Sequence, residues 1–332
     1  AGTAPRPPLA AARLRLSGAG IALLAVGLAG LAPYFLLSSL TQDVFQIVYG
    51  AVAGSTLVYG ATRQVSGQTR LAWLLIAGSQ FANSLGDIIF AFATPKRAGS
   101  PVFPWWGDSA YLASFPFMAL GVYLLVRRLR SIEGAYVYID ATLITASFAL
   151  VQWVFLIEPL SQATNESMLG RVVLMAYPAS DVLIISVLAR FFVTPAWRTP
   201  AFGLLAPALV LLLTADELYV ANLDSYVTGQ WYDAFWLLSY LLLGVLGLTP
   251  SMSTLAEAQT ANQTPRLSRV HLGLLMSSLI AAPVTLLLKA SSSGTSAIYL
   301  GASAAAVLSV LSLSRIYGLA KSIEKVRATE RR

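Results

Sequence analysis

Residues 71–93 read LAWLLIAGSQFANSLGDIIFAFA, and this stretch decides the fold. One charged residue, Asp87, interrupts an uncharged run long enough to cross a bilayer core, which takes roughly 20 apolar residues. Backbone groups in hydrocarbon must be satisfied within their own segment, so the run is read as a helix. Similar windows recur at about 18–39, 44–62, 107–126, 137–157, 168–193, 201–222, 231–248, 270–290 and 297–318. The fold class that follows is all-α, a polytopic membrane bundle of about ten transmembrane helices.

Composition leads to the same place. Hydrophobic residues make up 57% of the 332, charged residues 11%, and the mean hydropathy is +0.70. Soluble domains carry about a quarter charged residues, so this chain has too little charge to build a wetted surface. Cysteine is absent and His271 is the single histidine. Disulfides and thiolate chemistry are thereby excluded, and haem, di-iron and zinc sites lack their usual ligands, so neither cofactor nor metal is expected. The chain begins at Ala1 rather than Met, as expected of a processed or excised piece. The tail with Arg6, Arg13 and Arg15 superficially resembles a signal peptide, but the apolar window after it is too long, so it is read as a retained helix.

The basic residues orient the spans. With a cytoplasmic N-terminus, the inner segments hold Arg6, Arg13, Arg15, Arg63, Arg70, Arg127, Arg128, Arg130, Arg190, Arg198, Arg266, Arg269, Arg315, Lys321, Lys325, Arg327, Arg331 and Arg332. Of the 22 Lys and Arg, only Lys96, Arg97 and Lys289 fall outside, with Arg171 just inside a span. That asymmetry places both termini in the cytoplasm of a plasma-membrane protein. It also accounts for the net charge of +7 without a nucleic-acid partner, since no basic face on a folded domain is visible. The organisation read from it is a basic tail over 1–17, an eight-helix body over 18–250, a cytoplasmic linker over 251–269, a final helix pair over 270–318 and a cytoplasmic stub over 319–332.

Helices three and four resemble helices seven and eight. Asn83-Ser84-Leu85-Gly86-Asp87, Trp105-Trp106-Gly107-Asp108 and Ser114-Phe115 answer to Thr214-Ala215-Asp216-Glu217, Trp231-Tyr232-Asp233 and Ser239-Tyr240. The interval from Asp108 to Ser114 equals that from Asp233 to Ser239. An offset of four helices preserves direction, so the repeat is parallel.

Acids within spans are costly and usually face the bundle interior or a water-filled cavity. Asp87 and Asp216 sit at similar depth in the outer half of the membrane. Gln80, Asn83 or Ser84, and Asp87 make one polar stripe, and Asp233, Trp236 and Tyr240 share a face. Tyr177 and Asp181 flank a Pro178 kink near the midplane. The functional reading is an outward-facing cavity lined by Asp87, Asp108, Tyr111, Tyr177, Asp181, Asp216, Glu217, Trp231 and Asp233, suited to a cation, an amine or a proton-linked ligand. The competing reading makes these acids hydrogen-bonded glue between helices, and Trp105, Trp106, Trp231 and Tyr232 interface anchors. Asp140 beside Arg127, Arg128 and Arg130 is read as an interfacial ion pair, and His271 as an interfacial side chain.

A family resemblance rests on the order of several short strings. These are Gly107-Asp108-Ser109-Ala110-Tyr111-Leu112, Arg127-Arg128, Tyr138-Ile139-Asp140-Ala141, Trp153-Val154-Phe155, Tyr177-Pro178-Ala179-Ser180-Asp181, Ala215-Asp216, and Trp236-Leu237-Leu238-Ser239-Tyr240 ending at Pro250-Ser251-Met252. Over about residues 15–330 the chain resembles the N-terminal membrane region of actinobacterial cyclic-di-GMP signalling proteins, which carry C-terminal diguanylate cyclase (GGDEF) and phosphodiesterase (EAL) domains. Neither motif occurs here, so the resemblance implies a sensory or anchoring module without enzyme chemistry of its own, acting on an output domain outside these residues. The Met-His-Tyr-Thr pattern of a related sensor class is missing as well, which leaves a copper or gas site without support.

The alternative is a small-solute transporter with intramembrane carboxylates. Exporters of that size use inverted repeats, whereas the similarity here is parallel. An intramembrane enzyme is a third reading, but Asp216 and Glu217 are helix neighbours pointing about 100° apart and do not make a shared-proton pair. The terminal helix supplies an output route. Ile316, Leu319, Ile323 and Val326 fall at heptad spacing, with Ile at a and Leu or Val at d, which favours a parallel two-stranded coil and a homodimer; the competing reading is a basic tail that only marks the inner interface. The partners expected are therefore the lipid bilayer, a second copy and a small extracytoplasmic or membrane ligand.

Overall fold

The computed structural model describes residues 16–97, 100–101, 103–127, 136–162, 167–192, 199–253, 255 and 269–289, with isolated helical positions at 302, 303, 306, 307 and 310. The described chain is helical apart from a two-residue antiparallel ladder, Lys96–Arg97 with Ser100–Pro101. In chain order the helices are α1 (Gly18–Tyr34), α2 (Ser39–Gln64), α3 (Gly67–Phe92), α4 (Trp106–Arg127), α5 (Tyr136–Gln152), α6 (Met168–Phe192), α7 (Phe202–Ala221), α8 (Asp233–Gly247) and α9 (Arg269–Lys289). α5 continues through a π-helical turn, Trp153–Ile157, into Glu158–Ser161. Pro159, which has no N–H to donate, sits two residues after that turn ends.

Six helices are long and apolar enough to cross a membrane: α2, α3, α4, the extended α5 from Tyr138 to Ser161, α6 and α7. α1 and α8 are apolar but shorter. The chain is a multi-pass helical membrane protein in contact with lipid. Most of the tenth window, the 319–332 stub with Leu319, Ile323 and Val326, and Ile316 before it all lie outside the described residues, as does the basic tail over 1–15.

One boundary differs from the sequence reading. The first helix ends at Tyr34 rather than near 39, and the second begins at Ser39 rather than 44. Pro33 lies in the last turn of α1, where Leu36 N–H closes back on its carbonyl at 2.9 Å. Ser38 then turns extended, with its hydroxyl 2.9 Å from that of Thr41. The shift brings Gln42 and Asp43, excluded from the window, into the opening turns of a spanning helix.

The packing has a simple order. α2 lies against α3, α3 against α4, α4 against α6, α6 against α7, α7 against α8, and α8 against α2, closing a six-helix ring. α1 packs outside on α8, α5 outside on α6, and α9 on α5. Where α2 meets α8 the backbones approach through glycines. A Cβ on Gly247 would collide with the backbone of Thr56 and Leu57, and one on Gly60 with the Gly247 carbonyl. Small residues at such crossings are how membrane helices gain van der Waals contact where lipid offers no hydrophobic drive. Toward the end where α2 and α4 finish, the ring is filled by Trp73, Ile76, Val122, Leu125, Leu188, Leu205 and Leu209, each at most 1% exposed. Arg63, Arg70, Arg127 and Arg190 lie at that end. Arg190 stacks over the Tyr138 ring at 5.7 Å and so ties α6 to α5.

Candidate functional site

The opposite end of the ring holds the acids. Asp87 and Asp216 each lie five residues before the last residue of their helix, so the two occupy equivalent depths on α3 and α7. Each is held by a donor from the next helix. Tyr111 Oη on α4 donates to Asp87 Oδ1 at 2.8 Å, and Trp236 Nε1 on α8 donates to Asp216 Oδ1 at 2.8 Å. Tyr111 stands three residues after Asp108, and Trp236 three residues after Asp233. Gly86 makes room for the first bond, because a Cβ there would lie 2.5 Å from the Tyr111 ring.

Between these pairs is a partly open cavity of about 90 Å³. At roughly 10–15 Å³ per water centre it has room for some half-dozen waters, or a small solute. Every ring helix contributes: Asp43 and Gln46 from α2, Ser79, Asn83 and Asp87 from α3, Tyr111 and Ser114 from α4, Tyr177 from α6, Asp216 and Tyr219 from α7, and Trp236 and Tyr240 from α8. Tyr226 and Thr228 reach in from the 222–232 connection, while Met118, Ile184 and Leu212 add apolar wall.

Four of the nine residues expected at the cavity line it: Asp87, Tyr111, Tyr177 and Asp216. Asp108 is one step removed. It caps the start of α4 by accepting from Trp105 N at 2.8 Å, and it accepts from Tyr177 Oη at 2.8 Å. The other four are placed elsewhere, so the nine-residue lining needs correction. Asp233 is fully buried toward α1, where Tyr34 Oη (2.8 Å), Gly229 N (2.7 Å) and Tyr226 Oη (3.4 Å) donate to it. As the first residue of α8 it points at the loop and α1, while Trp236 and Tyr240 turn inward. Trp231 is 61% exposed and stacks edge-on with Tyr232 and Phe235, as an interface anchor would. Glu217 faces outward to α5, accepting from Gln152 Nε2. Asp181 is 1% exposed, and neither carboxylate oxygen has a hydrogen-bond partner among the described residues.

The polar stripe of α3 is also re-registered. Ser79, Asn83 and Asp87 line the cavity, whereas Ser84 Oγ donates to the Ile47 carbonyl of α2 and Gln80 is buried without a partner among the described residues. The sequence reading missed Asp43, an acid one residue outside a window drawn by hydropathy, and Gln46, an uncharged polar residue within that window.

The 222–232 loop is pinned over this end. Gln46 Nε2 donates to Tyr34 Oη at 2.9 Å, which passes the chain on to Asp233, and Gln42 Nε2 donates to the Tyr34 carbonyl at 3.1 Å. Gly229 adopts φ +103°, a conformation that L side chains rarely take, and packs against the Gln42 amide. Burial pushes the Tyr226 hydroxyl well above its ordinary range, and the neighbouring Asp233 acts in the same direction. Tyr226 therefore stays a donor to that carboxylate.

No family profile matches the chain, and neither curated proteins nor solved structures show a match to it.

Proposed function

We propose that this chain is the membrane-embedded sensory module of a signal-transduction protein, and that its ligand occupies the cavity inside the six-helix ring. The observation that carries the reading is the cavity itself. All six ring helices bring side chains to it, and Asp87 keeps one oxygen, Oδ2, buried without a partner among the described residues. A polar group left unsatisfied away from water is costly, and such a group at a concave site invites a ligand.

The proposal includes ten spans with both termini cytoplasmic, so that the cavity faces outward. In support, Arg63, Arg70, Arg127 and Arg190 all stand at the ring end away from the cavity. It includes the parallel repeat too. The ring order α2-α3-α4 followed by α6-α7-α8 is what two tandem units with an offset of four would produce. The matched bonds Tyr111 to Asp87 and Trp236 to Asp216 fall at corresponding places. The output, a cyclic-di-GMP synthesis or degradation domain, rests on the family resemblance alone. The transporter reading is weakened by the floor of the cavity, where Trp73, Ile76, Val122, Leu125, Leu188, Leu205 and Leu209 pack into one buried cluster.

The test is a thermal-shift screen of small solutes on the whole chain in lipid nanodiscs, repeated on Ser114→Phe, which fills the cavity. A solute that stabilises the native chain but not the filled variant, and that does not accumulate in proteoliposomes, is the expected result. Accumulation would establish transport instead, and solutes acting equally on both proteins would remove the cavity as the site. A GGDEF or EAL domain in the reading frame beyond Arg332 is the expected genomic counterpart, and a frame without one removes the cyclic-di-GMP output.

A further inference from the structure

Resting on the ligand-binding reading above, we infer that the cavity is built for a small organic ammonium ion, held between an acidic wall and an aromatic corner. The acidic wall comes first. Asp43, Asp87 and Asp216 line the cavity, and no Lys, Arg or His does so among the described residues. An acidic cluster alone is no binding site, but one of these acids is visibly incomplete. Asp87 is 7% exposed and accepts from Tyr111 Oη at Oδ1, while Oδ2 has no partner among the described residues. A buried carboxylate in that state gains most from a cation or a charge-assisted donor.

The corner is formed by Tyr219, Tyr226 and Trp236, all of which line the same space. Tyr226 meets Tyr219 at 83° and Trp236 at 87°, with centroids 4.9 and 6.3 Å apart, and Tyr219 meets Trp236 at 59° and 5.9 Å. Three rings at steep angles present π faces on more than one side of a point. That arrangement attracts cations and is how quaternary ammonium groups are recognised. Trp236 is fixed in place because its indole N–H is committed to Asp216.

An apolar stretch of the wall, beside the polar Gln46, Ser79, Asn83 and Ser114, chooses among cations. Phe115, Met118, Ile184 and Leu212 offer a bare metal ion no oxygen, and no group of three acidic, His or Cys ligands able to hold a metal occurs among the described residues. Methyl or methylene groups on nitrogen would be at home against those side chains. A volume of about 90 Å³ suits a head of a few non-hydrogen atoms. Anions meet three carboxylates, and neutral solutes bring Asp87 Oδ2 at most a hydrogen bond without compensating charge.

Choline and its uncharged carbon isostere 3,3-dimethylbutan-1-ol separate charge from shape. Isothermal titration of the whole chain in nanodiscs, at constant ionic strength, should show saturable choline binding at least about tenfold tighter than the alcohol. Asp87→Asn, which preserves side-chain shape, should bring choline down to the level of the alcohol, with the thermal transition of the variant checked beside it. Trp236→Phe keeps a ring and should lose only a few-fold. Equal binding of the alcohol and choline, unaffected by Asp87→Asn, would overturn the ammonium inference and leave the cavity a site for neutral ligands. Sodium chloride displacing choline with equal affinity would overturn it in favour of an inorganic cation. Absence of binding by any of these probes to a folded chain overturns it also, and the thermal-shift screen with Ser114→Phe then decides independently whether the cavity binds anything.

Discussion

The Trp236 indole nitrogen donates to Asp216 across 2.8 Å, from near the start of one helix to the last turns of the helix before it. Tyr111 and Asp87 do the same, at the same distance, on the preceding pair. Different donors, an indole N–H and a phenol O–H, thus serve one geometric role at positions that correspond in the proposed repeat. Tyr111→Phe and Trp236→Phe should therefore cost similar amounts of stability, each about 0.6 kcal/mol and at most about 1.7 kcal/mol, the average and the upper end for hydrogen bonds between membrane helices. Unfolding in mixed micelles measures this. A loss at one position only would mean that the two pairs are not equivalent.

Sidedness is the second expectation. Reporter fusions at Arg332 and within the 94–106 loop should report opposite sides of the membrane, with Arg332 on the cytoplasmic side. The basic end of the ring and the acidic cavity end lie a full helix length apart, so intermediate signals are not expected. The same side for both fusions would break the ten-span count, and a 94–106 loop on the cytoplasmic side would reverse the outward orientation of the cavity.

Tyr34 is the hinge pin of the loop over the cavity. It takes a bond from Gln46 and gives one to Asp233, which in turn holds Gly229 N. Tyr34→Phe removes the middle of this chain and leaves a fully buried carboxylate short of a donor, a loss of about 1–3 kcal/mol. Amide exchange in residues 222–232 should accelerate about tenfold or more, since local opening energies set exchange rates. Tyr49→Phe is the control, because Tyr49 donates to the Gly27 carbonyl away from this loop. Equal acceleration by both variants would assign the effect to general loosening of α1.

Hydropathy made the membrane fold legible because helices in lipid need nothing beyond length and apolarity to be recognised. It could not reveal the ring, since which helix lies beside which depends on close approaches such as Gly247 on Thr56, and glycine at a crossing looks like any other glycine in the chain. Acid residues announced the cavity for a similar reason: a carboxylate in a span stands out. Whether each one lines the space or braces it turned on a partner outside its own helix. Asp233 was drawn to Tyr34, nearly two hundred positions earlier, and Glu217 to Gln152 on an outer helix. Gln46 and Tyr219, which do line the cavity, carry no charge and leave no mark against an aromatic-rich background.

The proposed output route can be tested with no background thiols, because the chain contains no cysteine. Ile316, Leu319, Ile323 and Val326 would form the seam of a parallel coil, with Lys321, Glu324, Lys325 and Arg327 on the wet faces. Cysteine at Leu319 or Ile323 should crosslink between subunits severalfold faster than cysteine at Ser322 or Lys325. Uniform crosslinking at the four positions, or none, leaves the segment a basic anchor without a signalling coil.

Two glycine-to-alanine changes separate helix propensity from helix packing. Alanine is the better helix former by about 1 kcal/mol, so in isolation both substitutions should stabilise. At Gly203, in the first turn of α7, an added Cβ meets nothing within 4 Å, and Gly203→Ala should be neutral or slightly stabilising. At Gly247 the new methyl would press into the main chain of α2 at Thr56 and Leu57. Backbone cannot swing aside as a side-chain tip can, so α8 must retreat from α2, opening the ring on the side where Gln46 and Trp236 face the cavity. Overpacking of this kind costs about 1–3 kcal/mol, enough to outweigh the gain in propensity. Gly247→Ala should therefore lower the unfolding midpoint and weaken ligand-induced stabilisation together. Gly203→Ala should change neither. If Gly247→Ala proves as stable as Gly203→Ala, then α2 and α8 do not meet as closely as described, and the ring would be open at that seam.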